Sequence, residues 1–224
     1  MFKTKLSESS VSKELHTSKL MPRHIGAIAA LILISLLSSL SGTPVDHSIS
    51  NAWEGFLWGL ADPVISLNCL VGIVAIGLLS SVFVRGGAIA GCFIFATVLG
   101  IVIHLLQLDL PGTEIAIALS TIVFGTMLMM PNQLNLMVLA LVSISAGLFQ
   151  GYANAESIVG TEIISVVAYI LGITLTLFAV AMSAREIGMA MGMGEINRTL
   201  SWKMSIAGFA LCAIGIVFLS NSIT

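Results

Sequence analysis

A chain of 224 residues with 57% hydrophobic and only 9% charged side chains lies outside the range of a soluble domain, where about 25% of residues are charged. A net charge of -2 leaves no excess of base for a nucleic-acid partner, and the only basic cluster is the short N-terminal stretch. The composition, with a mean hydropathy of +1.07, describes an integral membrane protein whose first partner is the lipid bilayer.

In chain order, residues 1–24 are polar, rich in Ser and Lys, and read as a cytoplasmic tail. Crossing a bilayer takes ~20 apolar residues, ~17 at the short end. Seven runs reach or come within a residue of that length: Ile25–Ser41, Val64–Val84, Ala88–Leu108, Ile115–Met130, Leu134–Ala153, Ile163–Ser183 and Met204–Ser220. None shows strand alternation, and backbone groups in lipid must bond internally. The expected fold class is therefore all-α, a polytopic transmembrane bundle of six to seven helices. The run 25–41 has two readings. A basic leader and "SSLSG" describe a cleavable signal peptide, while the length of that leader favours a retained first transmembrane helix.

The segment 42–63 begins polar, then carries "AWEGFLWGL", amphipathic with two tryptophans suited to the membrane interface. It is expected to lie along the outer leaflet, with Pro63 ending its short helix and opening the next span. Residues 64–220 form the remaining six-helix bundle, followed by a short tail, 221–224. Gly72 and Gly77, Gly87 and Gly91, Gly147 and Gly151, and Gly188, Gly192 and Gly194 are expected to let helices approach closely. "MGMGE" reads as interfacial filling, and Cys69, Cys92 and Cys212 read as small buried residues without a disulfide framework.

With a cytoplasmic N-terminus and one crossing per run, all nine Lys and Arg fall inside. Asp46, Glu54, Asp62, Asp109, Glu114, Glu156 and Glu162 fall outside, an acidic face that concentrates cations.

Polar groups at membrane depth are costly and usually face a cavity or each other. "WGLADPVISLNC" places Asp62, Ser66, Asn68 and Cys69 over about two helical turns, and Asp62 to Asn68 spans ~9 Å of helix rise. "LFQGYANAE" places Gln150 and Asn154 on one helical face with Glu156 just beyond. His104, on the third span, sits at a similar inferred depth, where a lone histidine is more often a packing residue than a ligand. Together these give a candidate polar pathway: Asp62, Asn68, Cys69, His104, Gln150, Asn154 and Glu156.

The same two stretches resemble the HupE/UreJ family of hydrogenase and urease accessory membrane proteins, regarded as nickel permeases. The family's first signature, H-P-x-x-G-x-D-H, aligns with Asp62-Pro63-Val64-Ile65-Ser66-Leu67-Asn68-Cys69. The second, F-H-G-x-A-H-G followed by Glu, aligns with Phe149-Gln150-Gly151-Tyr152-Ala153-Asn154-Ala155-Glu156. "VGIVAIGLLS", "LPGTEIAIALSTIVFGTML" and "AYILGITLTLF" also match, and the likeness covers most of residues 52–185. "GYANAESIVGTE" is similar to the form this turn takes in cyanobacterial members, which makes the membrane plasma or thylakoid.

This chain departs from both signatures at every histidine, with Asp62 and Cys69 in the first and Gln150 and Asn154 in the second; Asn68 replaces the aspartate. Amides keep hydrogen bonds and discard the ligation that imidazole offers nickel. The resemblance implies a secondary permease for a transition-metal cation, nickel by family or copper or zinc given the thiol. The lost histidines imply the alternative, a non-transporting structural or assembly subunit among other membrane protein subunits. An enzyme is not expected, since no nucleophile and base are paired among the spans.

Overall fold

The computed structural model describes residues 26–35, 37, 49–130, 134–190 and 198–223. They form α1 (Gly26–Ser35), α2 (Ala52–Ile65), α3 (Leu67–Ser80), α4 (Gly87–Leu105), α5 (Thr113–Met129), α6 (Leu136–Asn154), α7 (Ile163–Ala190) and α8 (Arg198–Ile223), with a 3-10 turn at Ala155–Ile158. Among the described residues there is no strand, so the all-α expectation holds. The polar tail 1–24, the polar start of the segment 42–63 and "MGMGE" lie outside the described residues.

Four stretches are long and apolar enough to cross a bilayer as they stand: α4, Leu136–Ile158, α7 and Ser205–Ile223 of α8. Helices α2 and α3 meet that standard only as a pair, bent by 76°, and α5 has 17 residues. Phe95, Leu141, Leu171 and Phe209 point outward, each more than half exposed, and form the band that lipid covers. Tyr169, Phe93, Phe124, Leu70, Ile73 and Ile76 fill the interior.

Glycines set the helix pairs. A Cβ on Gly147 would meet Phe93 O and one on Gly151 would meet Thr97 O, so α4 and α6 advance together and run parallel. Gly55 abuts Ser165 O and Gly59 abuts Tyr169 O, so α2 runs parallel to α7. Farther along, Gly77 of α3 lies against Ala181 O, where a Cβ would stand 2.6 Å away. In the third pair Gly208 faces Gly125 while Gly215 faces Ile122 and Ala118, the descending order of antiparallel α5 and α8. Small residues allow this backbone proximity in lipid, where dispersion and hydrogen bonds hold helices together. Gly72, Gly87 and Gly91, expected at such contacts, have nothing within 4 Å of a built Cβ.

The break between α2 and α3 differs from expectation in place and in setting. Pro63 lies inside α2, and the chain turns at Ser66, which is extended at φ -76° and ψ 106°. Helix α2 starts at Asn51, whose Oδ1 accepts from Glu54 N at 2.9 Å while Glu54 Oε2 accepts from Ser50 N at 2.8 Å, a reciprocal cap. From there it packs along the first half of α7. The described residues from Ala52 onward therefore belong to the bundle, because two glycines on one face admit α7.

At the opposite end from Asp62, the Arg185 guanidinium donates to Phe83 O and Val84 O, each at 3.4 Å, just past the end of α3. A cation suits helix-end carbonyls, but both bonds are long and its Nε is buried without a partner among the described residues. Arg185→Ala is expected to lower the stability of the detergent-purified chain by about 1 kcal/mol. Arg185→Lys, which keeps the charge, should recover roughly half. An SDS-unfolding titration measures both, and equal losses would show that the charge contributes nothing.

Candidate functional site

Most buried hydroxyls in this bundle are satisfied within their own helix. Thr97 Oγ1 donates to Phe93 O at 3.0 Å, Thr121 Oγ1 to Ile117 O at 3.0 Å and Ser80 Oγ to Gly77 O at 2.7 Å. Such back-bonds use the one proton each hydroxyl can donate. Residues 60–69, on either side of the α2–α3 break, differ: there the polar partners come from other helices.

Ser35 Oγ of α1 donates to Ile65 O at 3.2 Å, and Thr176 Oγ1 of α7 donates to Leu60 O at 3.1 Å. A broken helix frees the Ile65 carbonyl, and the Ser35 hydroxyl from a neighbouring helix re-satisfies it, while Leu60 O, before the break, is met from α7. Around Asp62 the arrangement is tighter. The Tyr169 hydroxyl lies 2.8 Å from Asp62 Oδ2 and 3.2 Å from Asn154 O; Ser157 Oγ lies 3.3 Å and 3.0 Å from the same two acceptors. Each hydroxyl has one proton. The shorter distances assign the tyrosine proton to the carboxylate and the serine proton to the carbonyl at the end of α6. Completing the site, Asn154 Nδ2 donates to Cys69 Sγ at 3.7 Å.

The two stretches singled out in the sequence thus meet, and the residues joining them were missed. Asp62 and Cys69 from the first reach Asn154 from the second, with Tyr169 and Ser157 between. Tyr169 is 0% exposed. A tyrosine in the middle of an apolar run is the available signal, because a buried phenol needs a partner for its O–H. Ser157 sits next to Glu156 and makes the contact with Asp62; Glu156 itself is exposed on the 3-10 turn.

The other candidates go elsewhere. Gln150 is 5% exposed on α6, one turn before Asn154. Asn68 faces a separate hollow, lined also by Ser66, Leu67, Glu114, Phe218, Asn221 and Ser222. His104 packs edge-on against Tyr152, ring centroids 4.4 Å apart, and its Nδ1 is buried without a partner among the described residues. That is the packing role expected of a lone histidine, with one nitrogen left over.

Chemically the centre offers one carboxylate, one thiol sulfur fully enclosed at Cys69, a carboxamide and two hydroxyls. Among the described residues no three of His, Cys, Asp and Glu gather closely enough to hold a metal ion. Such a centre offers one charge and several oxygen groups, with the thiol as its one soft donor.

A family profile described as HupE / UreJ protein matches residues 33–218. No curated protein and no solved structure matches.

Proposed function

Since the chain belongs to the HupE/UreJ family of membrane proteins, we propose that it is a secondary permease for a divalent transition-metal cation, nickel by family, with Asp62 as the charged group on the path. The observation that carries this reading is the placement of that carboxylate one turn before a 76° helix break, facing α7 and the turn after α6. Discontinuous helices line ion sites in many transporters, where irregular backbone is tolerated because it borders a cavity.

The helix directions support six crossings from α2–α3 through α8. Parallel α4 and α6, parallel α2 and α7 with α3 continuing onto the later part of α7, and antiparallel α5 and α8 are what one crossing per helix requires, the bent pair counting as one. On that topology Arg85 and Arg185 share one end, and Asp109, Glu114, Glu156 and Glu162 the other. The positive-inside rule then makes the first end cytoplasmic, together with the N-terminus. No enzymatic step is proposed.

The test is nickel influx into proteoliposomes holding the full chain and a metal-sensitive dye. Asp62→Asn keeps the size and the hydrogen-bond acceptor while removing the charge, so influx should fall about tenfold, the order expected for one charge near a divalent ion. Influx that persists unchanged in this variant removes Asp62 from the path.

A second reading, a non-transporting assembly subunit, is favoured by the absence of a three-ligand group among the described residues. It also draws on α8, whose span Ser205–Ile223 is only 17% buried within the chain. Extraction in mild detergent separates the two: a large metal-free complex supports the subunit, a lone chain with nickel influx the permease.

A further inference from the structure

The hollow beside Asn68 is distinct from the Asp62 centre. It opens at the helix break itself, through Ser66, Leu67 and Asn68, and is closed by Glu114 in the first turn of α5 and by Phe218, Asn221 and Ser222 near the end of α8. Three distant parts of the chain therefore build it. Helix α5 rises ~26 Å over 17 residues, while α7 rises ~42 Å over 28; the short helix leaves room above its start.

We propose that this hollow is an outer vestibule that holds a divalent cation with its water shell intact, Glu114 supplying the charge and the amides and hydroxyls of Asn68, Asn221, Ser66 and Ser222 facing the bound water. Its role as an antechamber rests on the permease reading; its capacity to bind does not. Charge identifies the class of ligand. Among the described residues Glu114 is the one ionisable group in the lining, with no Lys, Arg or His there to hold an anion. Ligand type decides hydration: carboxylate, carbonyl and hydroxyl oxygens suit hydrated or oxygen-seeking ions, and the lining offers no imidazole or thiol to strip a transition metal of its water. Volume agrees. The hollow encloses about 520 Å³, whereas six waters at ~30 Å³ each occupy roughly 180 Å³, so a hydrated ion enters whole.

One feature opposes a cation. Helix α3 begins at the hollow with no side-chain cap from Ser66, and a helix start carries roughly half a positive charge. Set against the full charge of Glu114, this leaves net attraction but weakens it. Weak holding suits an antechamber, which must release its ion inward.

The experiment titrates the full chain in lipid nanodiscs with Mn2+, a hydrated oxygen-seeking ion, and reads water-proton relaxation. The expected result is a saturable enhancement in the wild type. Glu114→Gln, at an exposed position where folding is not at stake, should weaken it about tenfold. Ser222→Trp, which plugs the hollow and leaves the charge, should weaken it as well. Asp62→Asn should change it by less than about twofold, being a separate site. No saturable signal, wild-type affinity in Glu114→Gln, full binding in Ser222→Trp, or a loss in Asp62→Asn equal to that in Glu114→Gln each overturns the vestibule. Nickel influx in the same preparation keeps the two ideas apart. Glu114-dependent Mn2+ binding without influx sinks the permease and leaves the binding site; Asp62-dependent influx without Glu114-dependent binding sinks the vestibule alone.

Discussion

Alanine at Gly151 is expected to destabilise the bundle by roughly 3 kcal/mol, the upper part of the range for forcing atoms into a filled interior, while alanine at Gly91 should be neutral or stabilise by up to about 1 kcal/mol. The two substitutions add the same methyl group to a helix. At Gly151 that methyl falls on Thr97 O, with Thr97 C at 2.6 Å and Cα at 2.8 Å, all backbone atoms that no rotamer change can move. Relief requires α6 to back away from α4, and with it Gly147 from Phe93 and Gly100 from Leu148. At Gly91 the methyl meets nothing within 4 Å, and the helix gains only from the lower backbone entropy of its unfolded chain. Unfolding midpoints in SDS, measured for both variants against wild type, test the contrast. Similar midpoints for the two would mean that α4 and α6 are not in backbone contact.

That contrast also marks what the sequence discloses. Spacing alone treats Gly87 and Gly91 in the same way as Gly147 and Gly151, because a four-residue interval shows that two glycines share a face and not whether a partner helix is there. The contacts at Gly55, Gly59, Gly172 and Gly208 escaped for the complementary reason: a single helix can carry half of a pairing whose other half lies 100 residues away. Helical class, four of the seven apolar spans and the grouping of Asp62 with Asn154 were legible, since bilayer energetics make charge sparse and each intramembrane carboxylate or amide conspicuous. The break at Ser66 was not. Pro63 is the stronger local signal, yet a proline near a helix end loses little, whereas the Ile65 carbonyl freed beyond it is met by Ser35, which only the tertiary arrangement brings near. Tyr169 was hidden because tyrosine in an apolar run reads equally as packing. Its role comes from a carboxylate 107 residues away.

Replacing Tyr169 with phenylalanine should therefore cost about 2 kcal/mol, within the range for a hydrogen bond to a charged group, although the change removes one oxygen and leaves the ring in place. The hydroxyl lies 2.8 Å from Asp62 Oδ2, while Ser157 is nearer to Asn154 O than to the carboxylate. If Ser157 turns to Asp62, the end of α6 loses a partner; if it stays, the carboxylate loses one. Ser157→Ala should cost less, below about 1 kcal/mol, because Tyr169 already reaches both acceptors. A double-mutant cycle of Tyr169→Phe with Asp62→Ala isolates the pair and should give a coupling of roughly 1–2 kcal/mol. Additivity within about 0.5 kcal/mol would show that the two side chains do not share a proton in the folded protein. The cycle separates positioning from bulk stability in function too. Phenylalanine at 169 leaves the charge of Asp62 in place but unanchored, so nickel should still enter while its apparent affinity falls; Asp62→Asn removes the charge and lowers the maximal rate itself.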